Sequence, residues 1–112
     1  MNIQIFGVAK CFETKKAERY FKERKIKYQF VDIVRYGLSK GELASVKAAV
    51  GLNNLINPEA PDYQKLNLQH IASSNIREEL LTKNPKLYKT PIVRNGKQAT
   101  VGYQPDIWQE WE

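Results

Sequence analysis

The first 34 residues run through a strand pattern, a helix pattern and a second strand pattern with almost no chain between them, and that order leaves few folds open. Asn2 to Phe6 alternates, with Ile3 and Ile5 on one face. Ala17, Tyr20, Phe21 and the stem of Arg24 then recur at helical spacing, so residues 12 to 25 read as an amphipathic helix. Tyr28 to Val34 is rich in β-branched and aromatic residues and reads as a second strand. Two strands joined through a helix cannot form a hairpin; they pair in parallel through a right-handed crossover. The class is α/β.

The remaining elements follow the same logic. Ser39-Lys40-Gly41-Glu42 has the spacing of a capping box, Leu43, Val46 and Val50 supply the inward stripe behind it, and Gly51 ends the helix. From Leu52 to Gln69 the pattern weakens. Asn57-Pro58 and Ala60-Pro61 interrupt regular structure there, and the stretch reads as a loop with a short helical turn around Asp62 to Leu66. Ser74 or Asn75 caps a further helix in which Ile76, Leu80 and Leu81 face inward, and Asn84-Pro85 stops it. Residues 39–84 thus form, roughly, a helical insertion. Thr90 to Arg94 and Lys97 to Val101 flank Asn95-Gly96, the signature of a two-residue hairpin turn. Pro105 fits the first turn of a closing helix whose Ile107, Trp108 and Trp111 cover the sheet. The expected architecture is a single domain over residues 1–112, with a four-stranded mixed sheet and helices around it.

Composition excludes more than it proves. One cysteine permits no intramolecular disulfide, and neither a signal-peptide pattern nor a membrane-spanning stretch is present, so a reducing cytoplasm is the expected compartment. The net charge of +6 raises nucleic acid as a partner. Lys15, Lys16, Arg19, Lys22, Arg24, Lys25 and Lys27, however, share the polar side of the first helix with Glu18 and Glu23, without a groove-reading or base-stacking motif. A solvated helix face is the favoured reading, with no direct nucleic-acid binding. His70 is the only histidine, no ligand set stands at zinc or iron spacing, and no Gly-rich phosphate loop or Ser/His/Asp set appears. No metal is expected.

The chemistry-bearing residue is Cys11, which stands where the first strand hands over to the first helix. Unpaired amides and the positive end of the dipole at a helix start favour an anion, and thiolate is the nucleophilic form of cysteine. Lys10, Lys15 and Lys16 crowd the same turn and push the same way. Position alone leaves two readings open, a reactive thiol or a small hydrophobe. Pro91, unable to donate to a ladder, is equally open between a plain strand start and a cis peptide.

Gly7-Val8-Ala9-Lys10-Cys11 with Lys15-Lys16-Ala17, then Leu87-Tyr88-Lys89-Thr90-Pro91-Ile92-Val93, Asn95-Gly96-Lys97 and Val101-Gly102-Tyr103, together resemble the arsenate reductase (ArsC) family and its Spx-like relatives, in register from end to end. The resemblance implies a thioredoxin-like fold, Cys11 as the redox-active thiol, and Pro91 as a cis-proline facing it. Thr14 occupies the position of the second cysteine of a Cys-X-X-Cys pair, so any disulfide formed by Cys11 is intermolecular or with a small thiol. The arginines that hold the oxyanion in arsenate reductases align with Asn57, Thr90 and Tyr103, which argues against arsenate itself; Lys10, Lys89 and Arg94 are the remaining cations for an anion.

The reading that follows is a thiol-disulfide oxidoreductase acting through Cys11. No cofactor is bound, and glutathione or a similar thiol is the co-substrate. Lys10, Phe12, Thr14, Lys15, Thr90, Pro91 and Tyr103 form its substrate-binding surface, Phe12 and Tyr103 as an apolar wall, and Lys10 and Lys15 as steering charges. The alternative is an Spx-like regulator that docks on RNA polymerase, here without an internal redox switch.

Overall fold

The computed structural model describes residues 1–112. Strand β1 (Ile3–Gly7) is followed by α1 (Phe12–Glu23) and β2 (Tyr28–Asp32), and β1 and β2 pair in parallel with Ile3 opposite Tyr28 and Gly7 opposite Asp32. Strands β3 (Ile92–Asn95) and β4 (Gln98–Val101) close the hairpin predicted at Asn95-Gly96, and β3 lies antiparallel to β1, giving the order β2-β1-β3-β4. The sheet is four-stranded and mixed, as expected. Between β2 and β3 run α2 (Ile33–Tyr36), α3 (Lys40–Val50), α4 (Pro61–Lys65) and α5 (Ser74–Lys83), with single 3₁₀ turns at Asn53–Leu55, Leu68–His70 and Pro85–Leu87; α6 (Pro105–Trp111) closes the chain.

Each face of the sheet carries its own core, because successive strand residues point to opposite sides. Ile3, Ile5 and Val93 pack with Ala17, Tyr20 and Phe21 of α1 and Trp108 of α6. Phe6 and Ile92 face the other way, into a larger cluster with Ile33, Leu43, Val46, Leu55, Leu81 and Leu87 from the helical layer. The Trp108 indole N–H donates to the Thr100 hydroxyl at 2.7 Å, so the one polar atom of the buried ring is satisfied.

Four expectations need correction. The second strand stops at Asp32 rather than Val34, because the Asp32 carboxylate accepts hydrogen bonds from the Val34 and Arg35 amides and starts α2. Helix α5 is capped by Ser73, whose hydroxyl accepts from the Ile76 amide, and not by Ser74 or Asn75. Ile76 is exposed. Arg77 turns inward instead, donating to the carbonyls of Leu68 and Ile71 at 2.9 and 3.0 Å. In α6, Trp108 is buried and Trp111 half-buried, but Ile107 faces solvent.

Candidate active site

Cys11 is the N-cap of α1, in extended conformation at φ −80° and ψ 123°, and its carbonyl accepts the first helical hydrogen bond from the Lys15 amide at 3.1 Å. The loop from Val8 to Lys10 is a tight turn closed by the Cys11 amide donating to the Val8 carbonyl at 3.0 Å. This turn sets the sulfur beyond the C-terminal end of the central strand β1, half-buried.

From the adjacent strand, at the same end of the sheet, comes the segment before β3. The Thr90–Pro91 peptide is cis and Pro91 is buried. The Thr90 hydroxyl donates to Cys11 Sγ at 3.5 Å, and the thiol faces the Thr90 carbonyl at 3.9 Å. The Pro91 carbonyl accepts from the Gly102 amide at 2.8 Å, which ties the end of β4 to the same corner.

Burial pushes the Cys11 thiol up, but hydrogen bonds to the Thr14 and Thr90 hydroxyls and to the Thr14 and Glu13 amides outweigh it, and the net effect holds the thiol below its ordinary value. Two of these four donors are the first-turn amides of α1, the groups a helix start leaves unpaired. The anion is thus favoured by hydrogen bonds from the first turn of α1, Thr14 among them, and by the Thr90 hydroxyl, which only the fold brings to the sulfur.

Thr14 is fully buried, so it is a support for the sulfur and not a surface that a substrate touches. Its hydroxyl also accepts from the Val8 amide at 3.4 Å. A Cβ on Gly7 would stand 2.6 Å from both Cγ2 and Oγ1 of Thr14, so only glycine lets α1 dock this close to β1. The roles of Gly7 and Thr14 escape a reading by residue type; a glycine ending an apolar strand is the one signal of close approach that the sequence offers.

The remaining expected residues spread out around the sulfur. Phe12 is 80% exposed beside Cys11, with the Lys15 ammonium 5.9 Å from its ring centroid. Tyr103 packs edge-on against Trp108 at 5.6 Å under the Lys16 ammonium, so the two rings do not form one apolar wall. Lys10 and Thr90 line a cleft of about 560 Å³ together with Val8, Ile33, Asn57 and Lys86. Arg94 stands apart from all of these: its guanidinium donates to Gln4 at 2.7 Å and Ser45 at 3.3 Å, and β3 pairs it with Gln4, toward the far end of β1. Lys89 lines a separate cleft with Val50 and Ile107. His70 is exposed.

Comparison with known proteins agrees with the fold. The ArsC family model matches residues 6–111. The chain is 28% identical to the global transcriptional regulator Spx 2 of Oceanobacillus iheyensis, across 100% of this chain and 94% of that one. A crystal structure of an ArsC family related protein from Bacteroides fragilis superimposes with a TM-score of 0.84 at 26% identity, covering 100% of this chain and 98% of the other. The glutaredoxin-like protein NrdH-redoxin of Escherichia coli shares the fold more distantly, with a TM-score of 0.51 at 15% identity over 100% and 96% of the two chains. The mixed sheet with its flanking helices is a thioredoxin-like fold. No helix is long and apolar enough to cross a membrane.

Proposed function

This chain belongs to the ArsC family, and from that footing we propose that it is a thiol-disulfide oxidoreductase working through Cys11 alone. The Cys11 thiolate attacks one sulfur of a substrate disulfide; a new S–S bond forms to Cys11, the old one breaks, and the departing sulfur leaves as thiolate and takes a proton from solvent. A small thiol of the glutathione class then attacks the mixed disulfide and frees either Cys11 or the substrate. A second equivalent completes the cycle, so that one substrate disulfide is reduced and two small thiols are joined as their own disulfide.

The observation that carries this reading is the set of donors around one half-exposed sulfur. The Thr14 and Thr90 hydroxyls and two helix-start amides favour the form of cysteine that reacts. Arsenate is not the substrate in this reading. Asn57, Thr90 and Tyr103 stand where the family's arginines fall, and Arg94 is already engaged by Gln4 and Ser45.

The test is the rate of Cys11 alkylation against pH, with mass spectrometry after exposure to oxidised glutathione. The expected results are a midpoint below that of a free thiol, and a single glutathione adduct on Cys11 that a reduced thiol removes. A midpoint at or above the free-thiol value, or no adduct, overturns the mechanism.

A second reading is favoured by one finding, the likeness over the whole chain to a protein named as a global transcriptional regulator. In it the fold is a docking module for RNA polymerase, and turnover is not its task. Co-purification with polymerase subunits that persists in Cys11→Ser supports this alternative; disulfide reductase activity lost in Cys11→Ser supports the first.

A further inference from the structure

Helix α1 presents an outward row that begins beside the thiol: Phe12, Lys15, Arg19 and Lys22, spaced three or four residues apart and therefore stacked along one side of the helix. All four are exposed, and the buried residues Thr14, Ala17 and Phe21 lie on the other side. The row carries three cations, and none of them is in a salt bridge.

The acidic residues of α1 form no ion pair with the row. Glu18 accepts from the Tyr28 hydroxyl at 3.0 Å, and the Glu13 carboxylate lies against Gly102. Glu23 lines a hollow with Arg19 but makes no salt bridge with it, and Glu112 takes Arg24 at 3.3 Å. The face is a positive stripe with no ion pair along it, in a chain of net charge +6. Its near end is an aromatic ring 80% exposed, next to the reactive sulfur.

We propose that this stripe is the docking surface for an acidic polypeptide whose cysteine reacts with Cys11. The inference rests on the thiol reading above and names its substrate class. Length separates a polypeptide from a small thiol: Phe12 to Lys22 covers about 15 Å of helix, whereas an extended tripeptide spans about 10 Å. A molecule of glutathione's size, held at Cys11, leaves Lys22 unused. Five or more residues of an acidic chain running from the partner cysteine reach all three cations, and Phe12 gives an apolar anchor at the point of chemistry. Nucleic acid is a different class; it brings no disulfide to the sulfur where the row begins.

The test uses the full chain and peptides with one cysteine joined by a disulfide to pyridinethione, flanked by four acidic, four neutral or four basic residues. Attack by the Cys11 thiolate on the peptide sulfur forms the protein–peptide disulfide and expels pyridinethiolate, which takes up a proton to become pyridinethione and is followed by absorbance. At about 0.01 M ionic strength, where the Debye length is about 30 Å, the acidic peptide is expected to react roughly tenfold faster than the basic one. The ratio shrinks at about 0.15 M, where that length is about 8 Å.

In the double variant Arg19→Glu, Lys22→Glu the preference disappears or inverts, while the rate with the small neutral dipyridyl disulfide is unchanged. Equal rates for the acidic and basic peptides, or a preference that survives in the double variant, overturn the proposal. If the wild-type protein fails to react even with dipyridyl disulfide, the thiol reading falls by itself. Fluorescence anisotropy of a labelled acidic peptide with serine for cysteine then decides the surface. Binding lost in the double variant upholds it; no binding, or an oligonucleotide of equal charge binding more tightly, overturns it.

Discussion

A sulfur half-buried at a helix start is under two opposed influences, and the Thr14 hydroxyl is the largest of those that favour the thiolate. Desolvation disfavours the thiolate, while hydrogen bonds from the Thr14 and Thr90 hydroxyls and from two amides favour it. A hydrogen bond to a charged group is worth about 1.5–3 kcal/mol, and about 1.4 kcal/mol corresponds to one pKa unit. Thr14→Val keeps the buried volume and removes the donor. The midpoint of Cys11 alkylation is therefore expected to rise by roughly one unit, with Thr14→Ser restoring much of it. A valine variant with an unchanged midpoint shows that the helix amides and Thr90 suffice. The same substitution strips the Val8 amide of its acceptor, so a loss of stability is expected alongside and is read separately by urea unfolding.

At the scale of elements, the signals that were legible are the ones written in neighbouring residues. Ser39 and Glu42 satisfy each other's backbone amides as their spacing predicts, and Asn95-Gly96 turns β3 into β4 with Gly96 at φ 61°. Asp32 shows the limit. Val31, Ile33 and Val34 favour a strand by residue type, and a helix of four residues is too short to show a period, so nothing local announces that the chain turns there. What decides it is the carboxylate bonding to two amides and the burial of Ile33 against the sheet. Ile76 fails for a related reason: Arg77 satisfies two carbonyls that belong to another segment, and spacing within one helix cannot reveal them. Asp32→Ala is expected to cost about 1 kcal/mol in urea unfolding, the usual loss for an N-cap. Hydrogen exchange should speed up at the Val34 and Arg35 amides and not at those of α1. Uniform change across the chain, or none, rules out a local capping role.

The molecule as a whole joins residues 79 apart in sequence, Cys11 and Thr90, at one corner of a sheet packed on both faces. Cys11 and Pro91 could be picked out separately from their motifs. The direct contact between the sulfur and the Thr90 hydroxyl exists only once β1, β3 and α1 are assembled, whereas the support from Thr14, three residues along α1, comes with the helix start itself. The larger of the two cores holds a polar fault: Tyr88 is buried, yet its hydroxyl has no hydrogen-bond partner. Burial, with Glu78 adding to it, pushes the Tyr88 phenol up to about 12 from an ordinary 10.0. A group with a raised folded-state pKa contributes stability that is complete below the unfolded value and disappears as pH climbs through the folded one. That window runs from pH 10.0 to about 12. Below it, Tyr88→Phe removes an unpaired buried hydroxyl and is expected to leave stability unchanged or raise it by about 1 kcal/mol. Within it, the wild-type protein carries an additional loss as the unfolded Tyr88 phenol ionises, which the variant lacks, so the variant's advantage grows. Tyr28, also held to about 12, is present in both proteins and cancels from the comparison. Urea midpoints for the pair, measured between pH 7 and pH 11, decide it: parallel curves mean that the Tyr88 hydroxyl is solvated or paired in solution, and diverging curves locate the unsatisfied atom in the core.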